Sequence, residues 1–319
     1  MHIKTYIKTL FIILGLIALI VITYLFYFAK HYPIPVTNRA SFDAKLKFIR
    51  ENINVNEVDT LIVGSSVGLN NIQGTYLEKD STKCKVVLNL SVHGAYTRQT
   101  RQLLELTDAF PKLERILYVG QYTDLGITHQ FNDYNPDFLM KYMRNEMNLI
   151  EKFLVILRAC NNLFFCINRQ RTWKKMYKDK DSFHYIEYDS TGSVPLQINA
   201  KITNPGRWGG AQPGHMPEVS YGAIYHMSKR ALNKGLKFYF IQQPHREAIV
   251  KRDSRVRNAL ATFSKRVSNI MKENHGVFIN LHTMLRLDDT HFSDRNHLND
   301  KGSKVEAKKV AKIIDIIEK

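Results

Sequence analysis

Residues 9–29 contain no charged side chain, and Lys8 and Lys30 bracket them. At about 1.5 Å of rise per residue, a helix of about 20 residues crosses the roughly 30 Å hydrocarbon core of a bilayer. Tyr24 and Tyr27 fall where interfacial aromatics anchor such a helix. A cleaved signal peptide is the competing reading, but its apolar region would run only about 7–15 residues and end at a small-residue cleavage site. The exit here, Phe26-Tyr27-Phe28-Ala29-Lys30, lacks paired small residues and favours an uncleaved anchor over residues 1–30. Lys4 and Lys8 precede the run and Lys30, Lys45 and Lys47 follow it, so charge alone does not orient the span.

Residues 31–319 are long enough for one large α/β domain. After a proline-bearing linker over 30–42, short apolar runs alternate with amphipathic stretches. Strands are predicted at 58–64, 85–91, 115–120, 237–242 and 277–281. Helices are predicted at 97–110, 218–234, 254–274 and 300–317. Apolar strands separated by helices indicate a parallel sheet covered on both faces, a three-layer α/β arrangement. Ligands of such sheets bind beyond the carboxyl ends of the strands. The chemistry is therefore expected after Gly64, Ser91 and Gly120, and in the segment after Leu281.

Residues 125–215 interrupt the alternation and read as an insertion over one sheet edge. Its first part, 136–178, is helical in pattern and rich in Met, Phe, Lys and Arg; its second, 180–217, reads as loop and holds the glycine-rich stretch 204–214. It fits a lid or substrate platform and equally a structural elaboration. The 46 Lys and Arg against 29 Asp and Glu leave a formal charge of +17, which favours anionic partners such as lipid headgroups or acidic glycans. No zinc-finger spacing, nucleotide-binding glycine loop or RNA-recognition pattern accompanies that charge, so nucleic acid is not an expected partner. Cys84, Cys160 and Cys166 form no metal-ligand pattern; one disulfide with a free thiol, or three buried thiols, both fit. The histidines lack zinc-site spacing, and neither metal nor cofactor is expected.

Two short blocks carry the candidate chemistry. In Gly64-Ser65-Ser66-Val67-Gly68 a strand stops at a glycine and presents a serine. A serine hydroxyl is a poor nucleophile without a base in hydrogen-bond reach and a third group to orient that base. In Asp294-Arg295-Asn296-His297 the carboxylate lies three residues from an imidazole, close enough to fix its tautomer so that it can take the serine proton. Alone, the first block is commonly a turn and the second a loop leading into a helix capped by Asn299 or Asp300.

Together the blocks resemble the SGNH/GDSL hydrolase superfamily, over residues 55–125 and 236–317. The resemblance implies an SGNH/flavodoxin-like fold with Ser66 as nucleophile, Ser65 standing where an aspartate is usual, and Asp294 and His297 completing a triad. Asn89-Leu90-Ser91-Val92-His93-Gly94 is similar to the second block, whose glycine amide joins that of the nucleophile in the oxyanion hole. The third block departs from the pattern: Gly120-Gln121-Tyr122-Thr123-Asp124 has no asparagine, and Gln121 is the candidate replacement donor. His93 is a candidate site-lining residue, and His245 and Arg246, in Gln242-Gln243-Pro244-His245-Arg246, are candidate contacts to an anionic substrate.

The anchor and the altered third block are similar to a membrane-anchored branch that works beside membrane-bound O-acyltransferases, as in teichoic acid D-alanylation and exopolysaccharide acetylation. That likeness implies a single-pass protein of a bacterial cytoplasmic membrane with its domain outside, moving an acyl group onto a glycan or polyol. A non-catalytic scaffold with the same fold is the alternative. Gly64-x-Ser66-x-Gly68 also fits the nucleophile elbow of α/β-hydrolases, but there the acid and histidine are far apart in sequence and several strands precede the serine.

Overall fold

The computed structural model describes residues 3–319 apart from 38, 127–129, 133, 161, 181, 183 and 198–215. The chain opens with α1 (Ile3–His31), the one described helix long and apolar enough to cross a membrane, and continues through α2 (Ala40–Asn52) into β1 (Thr60–Gly64). Two short helices, α3 (Ser66–Asn71) and α4 (Gly74–Asp80), lead to β2 (Val87–Asn89); α5 (Thr97–Leu103), continued by a 3₁₀ turn at Leu104–Ala109, leads to β3 (Arg115–Gly120). A 3₁₀ turn at Tyr122–Leu125 is followed by α6 (Pro136–Met143), α7 (Leu149–Ala159), α8 (Leu163–Lys178) and α9 (Glu218–Asn233) before β4 (Lys237–Gln242). The chain ends with α10 (Glu247–Arg252), α11 (Ser254–Glu273), β5 (Val277–Asn280), α12 (Leu281–Met284), a 3₁₀ turn at Asp289–His291 and α13 (Asp300–Ile317).

All five strands are parallel, in the order β2-β1-β3-β4-β5. Their apolar sequences suit burial on both faces, and alternate residues divide between two cores. Ile62, Leu117, Tyr239 and Val277 stand opposite one another across four strands, in a core completed by α3, α4 and α13. Leu61, Val63, Ile116, Tyr118, Phe238 and Phe240 face the other way, into a larger core shared with α2, α5, α9 and α11. At the opposite end from the C-terminal strand tips, the buried Arg115 pairs with Glu318 at 3.1 Å and Asp59 at 3.3 Å.

The chain leaves β1 for β2 on one side and then crosses to β3 on the other. The crevice at that reversal, beyond the carboxyl ends of β1 and β3, is where open parallel sheets bind ligands. Gly64 shapes it, because a Cβ there would lie 2.3 Å from the Val119 carbonyl oxygen, so only glycine allows β1 and β3 to approach so closely as the chain turns.

The predicted strands are present with trimmed ends, most at 85–91, where only Val87–Asn89 is strand, whereas the predicted 97–110 helix changes to 3₁₀ geometry after Leu103. The predicted linker over 30–42 is shorter, since α1 reaches His31 and α2 begins at Ala40. Part of the stretch read as loop is packed: the Thr191 carbonyl accepts from Asn89 N, Val194 N donates to Leu69 O, and Leu196 O accepts from Asp300 N. That segment thus lies along the β2 side of the site. The glycine-rich stretch 204–214 and His215 lie outside the described residues. Cys160 and Cys166 form a disulfide, and Cys84 is a buried free thiol.

Candidate active site

Ser65 ends the turn after β1 and caps α3, its side chain accepting from Val67 N at 3.4 Å, so Ser66 is the first residue of that helix. The other side of the site is the loop before α13, whose first turn is capped by Asn299 accepting from Gly302 N at 3.0 Å. Within that loop, Asp294 Oδ1 accepts from the backbone N–H of Asn296 at 2.9 Å and of His297 at 2.7 Å. Its other oxygen lies 2.8 Å from His297 Nδ1, and His297 Nε2 lies 2.8 Å from Ser66 Oγ. With the Nδ1 proton donated to Asp294, Nε2 is left to accept the serine proton.

The electrostatics suit that arrangement. Burial raises the Asp294 pKa, but the His297 charge and three hydrogen bonds outweigh it and hold the carboxyl at about 2. Burial lowers His297, yet the Asp294 charge and hydrogen bond win and raise its pKa above 6.5. Asp124, on the 3₁₀ turn after β3, is pushed up to about 7 by burial, against hydrogen bonds from Ser65 and Gln121.

Gly94 sits in a turn closed by Ala95 N donating to Val92 O at 3.3 Å, and Val92 N reaches the Gly64 carbonyl at 3.4 Å. Its φ of +68° is the left-handed conformation that glycine adopts without a Cβ penalty. Among the described residues, neither the Gly94 nor the Ser66 backbone N–H donates to a protein acceptor, so both are available to an oxyanion. Gln121 is tied to the loop that carries His297: its carbonyl oxygen accepts from Asn296 Nδ2 at 2.5 Å, and its amide nitrogen faces Asp124 at 3.5 Å.

The remaining predicted residues divide. His93 is near His297; burial lowers its pKa to about 3, so its ring is neutral at ordinary pH. Arg246 is buried and bound to Asp289, with Nε 2.8 Å from Oδ1 and a second contact through Nη2. His245 is stacked on Tyr122 with ring centres 5.1 Å apart, and burial lowers its pKa to about 3. Structure therefore places this pair in the packing beside the triad, with Arg246 already carrying a carboxylate partner.

Several contributors had no sequence signal. Asn71, at the end of α3, donates to Asn296 O at 2.9 Å and accepts from Leu298 N at 2.9 Å, gripping the backbone on both sides of His297. It also donates to Gln243 Oε1 at 2.6 Å, and Gln243 donates to Glu306 at 2.6 Å. Burial raises the Glu306 pKa strongly, against the Gln243 hydrogen bond. Arg39 also reaches the site: a Cβ on Gly94 would lie 3.5 Å from its Nη1. Arg295 adds a second cation, whose charge disfavours protonation of both His297 and His245.

No known family model matches this chain, and no curated protein matches it either.

Proposed function

We propose that the chain is a membrane-anchored, serine-dependent acyl-transfer enzyme that works through an acyl-Ser66 intermediate. The observation that carries this reading is the continuous Ser66–His297–Asp294 hydrogen-bond relay at the carboxyl end of β1, made between residues 231 apart in sequence. His297 Nε2 takes the Ser66 proton as Oγ attacks the carbonyl carbon of a donor ester or thioester. The Ser66 and Gly94 amides receive the developing oxyanion. Collapse breaks the donor C–O or C–S bond, and His297 returns the proton to the leaving alcohol or thiol. An acceptor hydroxyl then attacks the acyl-serine, giving its proton to His297, which passes it to Ser66 Oγ as the acyl–Oγ bond breaks. With water as acceptor, the same steps make an esterase.

Finer features of the reading rest on the SGNH/GDSL resemblance: a three-layer fold with residues 125–215 as an insertion, and an envelope glycan or polyol as acceptor. A membrane-bound O-acyltransferase partner and a bacterial, extracytoplasmic setting have the same basis. The Cys160–Cys166 disulfide supports a domain outside the reducing cytoplasm. Arg39 and Arg295 around the site favour a substrate carrying negative charge.

One observation favours a scaffold instead. Gln121 has its amide engaged by Asp124, and lack of one oxyanion donor typically slows hydrolysis by about 10²–10³. Intact-mass analysis of the full chain treated with a fluorophosphonate separates the two readings. The enzyme reading expects one adduct at Ser66, absent in Ser66→Ala and strongly slowed in His297→Ala. Folded protein that remains unlabelled removes the enzyme reading and leaves the scaffold.

A further inference from the structure

The hairpin of α7 and α8 has an exposed apolar face that the catalytic reading does not use. Phe164, near the tip, is 78% exposed, and Leu154, Leu157 and Phe165 are exposed as well. Soluble domains rarely leave so many large apolar groups together in water. Asn148 caps α7, Asn162 caps α8, and the Cys160–Cys166 disulfide ties the end of α7 to the first turn of α8.

Its position identifies what covers that face. Tyr24 Oη lies 3.2 Å from Gln170 Oε1, Phe28 packs on Trp173 at 5.9 Å, and Tyr32 lies under the Lys174 ammonium. The paired residues advance in the same order, so α8 runs alongside α1 in the same direction. Phe26 stacks on Phe153 of α7, the limb that runs to the tip before α8 returns. Phe164 precedes Gln170 by six residues, which puts it about 9 Å deeper than Tyr24 along the axis of α1. Tyr24 marks the aromatic boundary of the apolar run, and interfacial helices bury their apolar faces about 5–10 Å into the headgroup and acyl boundary.

Charge points the same way. Residues 149–178 contain seven Lys and Arg (Lys152, Arg158, Arg169, Arg171, Lys174, Lys175 and Lys178) and a single acid, Glu151. A basic rim around an apolar face matches anionic lipid headgroups. Arg158, near the tip, favours shallow insertion, because its side chain can reach back to the phosphate level while the neighbouring leucines meet the acyl chains.

We infer that the α7–α8 hairpin is a second membrane contact, seated in the anionic headgroup region of the same leaflet from which α1 emerges. This rests on α1 being a membrane span, and is independent of the serine chemistry. The consequence is a site held at a set height and orientation over the bilayer. Arg39, at Gly94, is only eight residues beyond His31, a reach of at most about 28 Å even when fully extended. A single flexible tether would leave the domain free to tumble; two contacts joined through Trp173, whose indole donates to Ala40 O at 3.0 Å, do not.

The test reconstitutes the full chain in phosphatidylcholine–phosphatidylglycerol vesicles and measures tryptophan quenching by brominated lipid. Phe11→Trp, Phe164→Trp and Ile317→Trp are compared with the unmodified chain, whose Trp173 and Trp208 set the background. The inference expects added emission quenched at positions 11 and 164 and unquenched at 317. Quenching at 11 but not at 164 overturns the hairpin contact alone. No quenching at 11 removes the membrane span and this inference with it. Shielding of position 164 from an aqueous quencher in native membranes, without quenching by brominated lipid in vesicles, assigns the face to a protein partner and also overturns it.

Discussion

Replacing Asp294 by asparagine alters the orienting group while changing almost no volume. The carboxyl has a pKa of about 2 in the folded chain, against 3.8 for the free side chain. At about 1.4 kcal/mol per pKa unit, that depression corresponds to about 2 kcal/mol of stability. Because the folded value is depressed, the contribution is present above 3.8 and lost as pH falls through about 2. The same ion pair raises His297, whose share is present below 6.5 and lost as pH rises through its elevated folded value. Asp294→Asn should therefore be less stable by about 2 kcal/mol on a plateau near pH 5, with the gap narrowing on both sides. The catalytic loss should be larger. Asparagine can still accept the two backbone N–H bonds, but its amide nitrogen would face Nδ1 and turn the imidazole proton onto Nε2, where it blocks proton transfer from Ser66. A loss of about 10³–10⁴ in fluorophosphonate labelling rate is expected, as when other triad carboxylates are made amides. Urea unfolding across pH gives the first quantity and time-resolved intact mass the second. Labelling within about ten-fold of the wild-type rate would show that Asp294 does not set the His297 tautomer, and the relay reasoning would fail.

The labelling rate of the wild-type chain should rise with pH through a midpoint above 6.5, since the raised pKa of His297 delays its conversion to the free base; a midpoint below 6.5 would contradict the ion pair. Asn71→Leu should cost about 3 kcal/mol or more, by leaving Asn296 O, Leu298 N and Gln243 Oε1 buried without this partner, each worth about 1–3 kcal/mol. The same change should slow labelling by about ten- to a hundred-fold through displacement of His297, measured beside the urea midpoint; unchanged labelling would show that Asn71 acts on stability alone.

Much of the architecture was legible because it depends on local pattern. Leu61-Ile62-Val63 and Phe238-Tyr239-Phe240-Ile241 are apolar on both sides, which suits strands covered on both faces, and Val256, Leu260, Phe263 and Val267 recur at helical spacing in α11. The uncharged run 9–29 marked α1 for the same reason. Residues 136–178 were legible as helical, but the chain breaks into α6, α7 and α8, at turns whose capping asparagines also suit ordinary loops.

The sequence by itself determined the alternation of strands and helices, the apolar N-terminal helix, and the chemical types and spacing of Ser66 and of Asp294 with His297. Tertiary structure alone decided which polar groups meet. It brought Ser66 to His297 and closed the Asn71–Gln243–Glu306 chain behind them. It turned the Gln121 amide toward Asp124, gave Arg246 a partner in Asp289, and set the bare face of α7 and α8 beside α1. Periodicity reports only which face of an element is apolar, a property of neighbours a few residues apart. The partner of a buried polar group is chosen by three-dimensional proximity: Asn71 meets groups 172, 225 and 227 residues away, because each must be hydrogen-bonded where the fold excludes water.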